Sequence, residues 1–170
     1  MKVLSGIARP QATLTVRHLD TNDKEIRNKR GLLGLLGIKR RDVRIVHGCV
    51  TDAYVNLLVD DLQLAVAGHS TFMYHDSGTG VAAEAATDTG LGTPCGEARD
   101  TGTQIEGATA NIYKSVATHT YGGSFAITEH GLFNAATAGT LMDRTKFAAV
   151  NVANGEKIEF TYQLTISSGG

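Results

Sequence analysis

The segment "EKIEFTYQLTIS" (156–167) limits the fold more than any other stretch. Ile158, Phe160, Tyr162, Leu164 and Ile166 alternate with Glu159, Thr161, Gln163 and Thr165. Successive side chains of a strand point to opposite faces, so this pattern describes an antiparallel strand with one face in a core and one in water. "STFMYH" (70–75), "NIYKSVATHTYGG" (111–123), "SFAITEHGLF" (124–133) and "FAAVNV" (147–152) read as further strands. Asn154-Gly155 supplies the positive φ of a tight turn just before the last one. "VRIVHGCV" (43–50) is dominated by β-branched residues, and "QATLTVR" (11–17) alternates through Ala12, Leu14 and Val16. The chain has 20 glycines in 170 residues, more than the usual ~7%, as a turn-rich protein requires. These features predict a mainly β fold, an antiparallel β-sandwich or jelly-roll-like domain.

One helix interrupts the pattern. In "TDAYVNLLVDDLQLAVAG", Thr51 or Asp52 can cap a helix over about 52–66, and Gly68 can stop it. Tyr54, Leu57, Leu58, Asp61 and Leu62 share one face, which packs on a sheet. Residues 76–110 are rich in Gly, Ala and Thr and poor in large apolar groups, which predicts a long ordered loop. Loops of that length are uncommon unless they bind something. No apolar run approaches the ~18 residues of a membrane span, and the N-terminus lacks the apolar core of a signal peptide, so a soluble chain is expected.

Charge divides the chain in two. Residues 1–45 hold 11 of the 16 Lys and Arg against four acids, whereas residues 46–170 carry 13 acids against five basic residues. Asymmetry of this kind marks an interaction arm, so a basic arm over 1–44 is expected ahead of a β-domain over 45–170. Within the arm, "GLLGLLGIKRRD" places Gly31, Gly34 and Gly37 at period three. Each would weaken a helix by about 0.8–1 kcal/mol, so the arm is expected to be irregular and to order against a partner.

Three Asp-Ser/Thr-Gly triplets, at Asp76, Asp88 and Asp100, recur at twelve-residue intervals. The triplet is the local mark of an aspartic protease loop, whose chemistry needs two facing aspartates that share a proton. Twelve residues cannot place each triplet in its own lobe, and Asp can also bond a backbone N–H two residues on while Gly turns the chain. The triplets are therefore read as turns. No Gly-Lys-Ser/Thr ending accompanies Gly78-Thr79-Gly80, so no Walker loop is present. The histidines (18, 47, 69, 75, 119 and 130) show no helical i, i+4 pair and no His-x-His, and each is read as satisfied or solvated rather than metal-bound. Cys49 and Cys95 are too few for a disulfide framework or a four-ligand zinc site. No Ser lies in a nucleophile-elbow motif. No catalytic residue, cofactor or metal is assigned. The basic arm lacks aromatic residues to stack on bases, which favours an acidic protein surface over nucleic acid.

"YHDSGTG…AEAATDTGLGTP", "TGTQIEGATANIYKSVAT", "FAITEHGLFNAATAGTLMDRTKF" and "NVANGEKIEFTYQLTISSGG" occur in that order. Over about residues 45–170 they resemble small virion-associated structural proteins of tailed bacteriophages. The resemblance implies a non-enzymatic virion protein, most simply a capsid decoration (cement) protein that binds the major capsid protein and itself as a homo-oligomer, without membrane contact. A tail, head-fibre or tail-adaptor component is the alternative, and a dimeric retroviral-type protease using Asp76 is a third. Charge and apolar composition make Arg17, Lys24, Arg27, Lys29, Arg30, Leu32, Leu33, Leu35, Leu36, Ile38, Lys39, Arg40, Arg41 and Arg44 the candidate docking surface.

Overall fold

The computed structural model describes residues 11–28, 40–62 and 71–166. The expected mainly β antiparallel architecture with one helix is what the chain adopts. Its strands are β1 (Gln11–Leu19), β2 (Arg27–Asn28), β3 (Arg40–Arg41), β4 (Val43–Val50), β5 (Tyr74–Gly78), β6 (Asp100–Thr101), β7 (Thr103–Glu106), β8 (Ile112–Thr120), β9 (Phe125–Phe133), β10 (Leu141–Val152) and β11 (Lys157–Thr165). The helix α1 (Asp52–Leu62) follows β4. Nine strands form one sheet in the order β6-β5-β9-β10-β4-β1-β11-β8-β7, and β2 pairs with β3 in a separate ribbon. Among the described residues no helix is long and apolar enough to cross a membrane.

The two layers of this sheet share β4. Val43–Gly48 pair with β1, and Cys49 and Val50 pair with Arg144 and Asp143 of β10. At the opposite side the sheet returns on itself, because its two edge strands are separated in the chain by one residue, Gly102. Thr101 pairs with Tyr74 of β5, while Thr103 pairs with Val116 of β8. The Gly102 N–H donates to the Met73 carbonyl at 2.7 Å. A Cβ at position 102 would lie 2.7 Å from both His75 Nε2 and Ser115 Oγ, so the closure leaves no room for a side chain.

Alternation fills the interior as the sequence pattern requires. Ile158, Phe160, Tyr162 and Leu164 of β11 are buried, as are Ala12, Leu14, Val16 and His18 of β1. They meet Phe72, Tyr121, Ile127, Leu132, Phe147 and Val150 in one core. A fully buried side chain such as Phe160 contributes about 1.5–3 kcal/mol relative to exposure. Ile166, expected on the same face, lies past the strand end and is exposed. Thr51 proves to be the helix cap, its Oγ1 accepting from the Tyr54 N–H at 3.3 Å. Tyr54 stacks edge-on against Phe72 with ring centroids 5.2 Å apart, and Leu57 and Leu58 pack on the core. The expected helical continuation over 63–66 lies outside the described residues. Gly155 has φ 82°, as the Asn-Gly turn predicts.

Two expectations need correction. Residues 11–19 are not part of an appended arm, because β1 is an inner strand hydrogen-bonded to β4 on one side and β11 on the other. The basic composition around it misleads, since its charged and hydroxyl side chains occupy only the outward face. Residues 76–110 are not one loop: β5 runs to Gly78, and β6 and β7 occupy 100–106. Removal of residues 1–44 is therefore expected to abolish the cooperative thermal transition, and Leu14→Ala to lower stability by about 2–5 kcal/mol. Circular dichroism melting checks both, and a truncated chain that still melts cooperatively would refute the placement of β1.

Candidate functional site

The connection 79–99 between β5 and β6 is held on the barrel by a buried ion pair. Glu129 of β9 and Arg144 of β10 are both buried and meet at 2.7 Å between Nη2 and Oε2. Glu129 also accepts the backbone N–H of Gly80 at 2.9 Å, of Gly92 at 3.0 Å and of Thr93 at 2.8 Å. Arg144 donates to the carbonyls of Ala82 and Ala83 and to Asp88. Burial alone would push the Glu129 carboxyl up, but the backbone donors and Arg144 more than reverse it and hold it below the usual range. Charges inside a fold are stable only when paired and fully hydrogen-bonded, and this pair meets that condition by recruiting the connection's own backbone.

The three triplet aspartates each have a cationic partner. Asp76 Oδ2 accepts from Arg99 Nε at 3.1 Å, Asp88 from Arg144 Nη1 at 2.9 Å, and Asp100 from His119 Nδ1. Arg99 further donates to the carbonyls of Ala135 and Ala138 and lies 3.4 Å from the centroid of the Phe133 ring. Asp88 closes a turn over 85–88 that precedes its triplet, whereas Asp76-Ser77-Gly78 belongs to β5 and Asp100-Thr101 to β6. Within the chain, Asp76 faces the Arg99 guanidinium rather than either of the other two triplet aspartates.

A chemically distinct corner lies where this connection meets β8. His119 is clamped by two acids, with Nε2 at 2.9 Å from Glu97 Oε2 and Nδ1 against Asp100. Burial would depress the imidazole pKa, yet the Asp100, Cys95 and Glu97 partners raise it to about 10, so the ring is an imidazolium at neutral pH. Cys95, partly exposed, places Sγ 3.5 Å from Ser77 Oγ. Tyr121 Oη donates to Ser77 Oγ at 3.0 Å, and the Tyr121 ring lies against the His119 ring at 4.5 Å between centroids. With both ring nitrogens bonded to carboxylates, His119 can stabilise a neighbouring anion but has no lone pair to accept a proton.

A line of polar groups also crosses the core. Ser115 Oγ lies 2.8 Å from His75 Nε2, and His75 Nδ1 lies 2.9 Å from His130 Nε2. Burial lowers the His75 pKa to about 3 and that of His130 well below its usual value, so both rings are neutral. Asp143, buried on β10 and accepting from Thr145 Oγ1 at 2.6 Å, is pushed up to about 7 by desolvation. These groups are sealed from solvent and serve the interior. Among the described residues no group of three potential metal ligands is placed to hold an ion.

Of the candidate docking residues, Arg17 is engaged within the domain, bonded to Glu25 and Glu159 at 2.6 Å each. Arg44 pairs with Asp42 at 3.2 Å and donates to the Ala149 carbonyl. Lys24 and Arg27 are exposed, and Arg41 pairs with Glu25 while remaining 65% exposed. Arg40 lies in the β2–β3 ribbon opposite Asn28. Lys29, Arg30, Leu32, Leu33, Leu35, Leu36, Ile38 and Lys39 lie outside the described residues. The Cys95 corner escapes sequence reasoning because its parts come from separate elements. The only local hint is phase: His119 shares the inward face of β8 with Ser115 and Ala117. Compared with known proteins, the chain matches no family model, no curated protein and no solved structure.

Glu129→Gln is expected to cost about 3–5 kcal/mol, because it leaves Arg144 buried with one carboxylate fewer; chemical denaturation measures it, and a loss below 1 kcal/mol would contradict the network. The neutral histidines set a pH dependence of known sign. Their folded pKa values lie below the unfolded 6.5, so their contribution is complete above pH ~6.5 and is lost as pH falls toward about 3. His119 acts oppositely, contributing fully below pH ~6.5 and losing that contribution as pH rises toward about 10. His75→Gln should therefore narrow its stability gap to wild type between pH 6.5 and 5 in urea titrations, and an unchanged gap would refute neutral burial of His75.

Proposed function

We propose that this chain is a structural protein of a tailed-phage virion, a capsid decoration (cement) protein that docks through residues 29–39 and the basic ribbon at their base. The observation that carries this reading is where that segment is rooted. Arg27 pairs with Arg41 and Asn28 with Arg40, so residues 29–39 begin and end at one two-stranded base. Near this base in the chain, Lys24 and Arg27 are exposed, and β4, which follows β3, exposes 37% of Val43 and 73% of Ile45. The segment itself carries Leu32, Leu33, Leu35, Leu36 and Ile38 between Lys29, Arg30 and Lys39. A connection fixed at both ends gives up less entropy on ordering than a free tail. It can bury its leucines on a neighbouring capsid subunit while its lysines and arginines meet acidic groups. The remaining domain, with its excess of acids, faces away from the lattice. Partners are the major capsid protein and, on a symmetric shell, further copies of this chain. No catalytic step is assigned.

Deleting 1–44 cannot test this, since it removes β1. Replacing residues 29–39 by a two-residue Asn-Gly turn should preserve the wild-type melting transition and abolish cosedimentation with capsids of the same phage assembled without the protein. A replaced chain that still decorates capsids at full occupancy would refute the docking role. Electron microscopy of virions carrying a tagged copy separates head from tail, and label confined to the tail would move the assignment to a tail or fibre component.

A further inference from the structure

β4 changes partners along its length, and the change leaves part of one edge uncovered. In an antiparallel ladder, alternate residues turn their N–H and C=O to one neighbour, and the residues between them turn theirs to the other. The His18 N–H donates to the Asp42 carbonyl at 3.1 Å, so the residues of β4 that bond to β1 are Arg44, Val46 and Gly48. On the other side the Thr51 N–H donates to the Met142 carbonyl at 2.9 Å, and the ladder with β10 extends only through Val50 and Cys49. Val43, Ile45 and His47 therefore direct their backbone groups away from β1, past the end of the β10 ladder. Among the described residues no strand pairs with them on that side. β10 diverges where its own register against β9 shifts, between Lys146 and Val150. A cleft of about 500 Å³ opens between the separating strands, lined by Val46, Glu84, Lys146, Phe147 and Ala148. Arg44 reaches across to the Ala149 carbonyl at 2.9 Å, a side chain standing where a continuous sheet would have a backbone bond. The three edge residues also carry exposed side chains, with Ile45 at 73%. No Lys or Pro, the usual guards of a strand edge, stands among them.

We propose that this edge pairs with the same edge of a second copy of the chain, antiparallel about a two-fold axis at Ile45. The bonding pattern selects both that occupant and that register. About such an axis Val43 lies opposite the partner's His47 and Ile45 opposite the partner's Ile45, so every outward-bonding residue meets another. Each of these pairs exchanges two backbone bonds. A slip of one residue would set bonding residues against non-bonding ones, and a slip of two would leave one of them unmet on each copy. The side chains agree with the register. On the outer face Ile45 covers the partner's Ile45, and on the inner face Arg44 meets the partner's Val46 rather than a second guanidinium. The contact is isologous and so closes at two copies. The β2–β3 ribbons, which precede β4 in each chain, fall at opposite ends of the joined strands. Because the pairing involves this chain alone, it stands or falls separately from the capsid reading.

Three residues a side bury far less than the ~800 Å² per partner of a standard interface, so a dissociation constant on the order of 10 μM is expected. Sedimentation velocity of the intact protein, spanning about tenfold either side of that value, should show monomer giving way to dimer. Ile45→Lys should weaken the association at least about tenfold, by setting like charges directly opposite, without moving the melting transition. Oxidative crosslinking reads the register. Hydrogen-bonded antiparallel pairs hold their Cα atoms about 5.5 Å apart, inside the disulfide range. The Ile45→Cys chain should therefore form a disulfide between two copies at that position. Val43→Cys alone and His47→Cys alone should not, since each lies about 14 Å from its own counterpart. Mixing those two variants should link them to one another. Peptide mapping by mass spectrometry separates these bonds from any at Cys49 or Cys95. A chain that stays monomeric throughout the range, or that crosslinks equally at all three positions, overturns the proposal. Should Ile45→Lys fail to fold, the disulfide pattern decides, because its substitutions fall on exposed side chains.

Discussion

The contact between Glu129 and Arg144 is the constraint on which the arrangement of this protein depends. Both side chains are buried on adjacent strands, where unpaired charge would be prohibitive. Two antiparallel strands cannot by themselves saturate a carboxylate and a guanidinium. The remaining acceptors and donors are met by Gly80, Ala82, Ala83, Asp88, Gly92 and Thr93 of one connection. A segment with little apolar content is thereby fixed on the barrel by polar chemistry. Its path then delivers Cys95 to Ser77, Glu97 to His119, and Arg99 to Asp76 and the turn after β9.

Closure of the sheet follows from the same path. The strand that ends this connection begins on β5 and finishes on β8, changing partners at Gly102. A rolled antiparallel sheet returning on itself in this way shortens the edges left for pairing with another chain. The ribbon of β2 and β3 stands outside the nine-stranded sheet, with Arg27 exposed.

Much of the barrel was legible in the sequence. The alternation at 157–165, the β-branched run at 43–50, the Thr51 cap and the Asn154-Gly155 turn each express one local rule, and each governs locally. What could not be read shares one cause, polar residues facing inward. Asp143, Arg144 and Thr145 look like a loop, yet they form the buried first half of β10 because Glu129 and the connection satisfy them. Asp76 and Ser77 look like a turn, yet they continue the strand that His75 was expected to end, and His75 and Ser77 face the interior to meet His130, Ser115 and Tyr121. The status of β1 was obscured by its basic neighbours, whose charges lie on the outer face. The Cys95 corner has no sequence spacing at all, since its members converge only after the connection is pinned.

The connection 79–99 is held inward by Glu129, and the segment rooted in the β2–β3 ribbon is the proposed docking element. Amide hydrogen exchange on the free protein and on protein bound to undecorated capsids measures both directly. The account predicts that Gly80, Gly92 and Thr93 are protected in both states, and that protection rises on binding across residues 27–45. Rapid exchange of those three amides in the free protein, with binding-induced protection confined to 79–99, would contradict it.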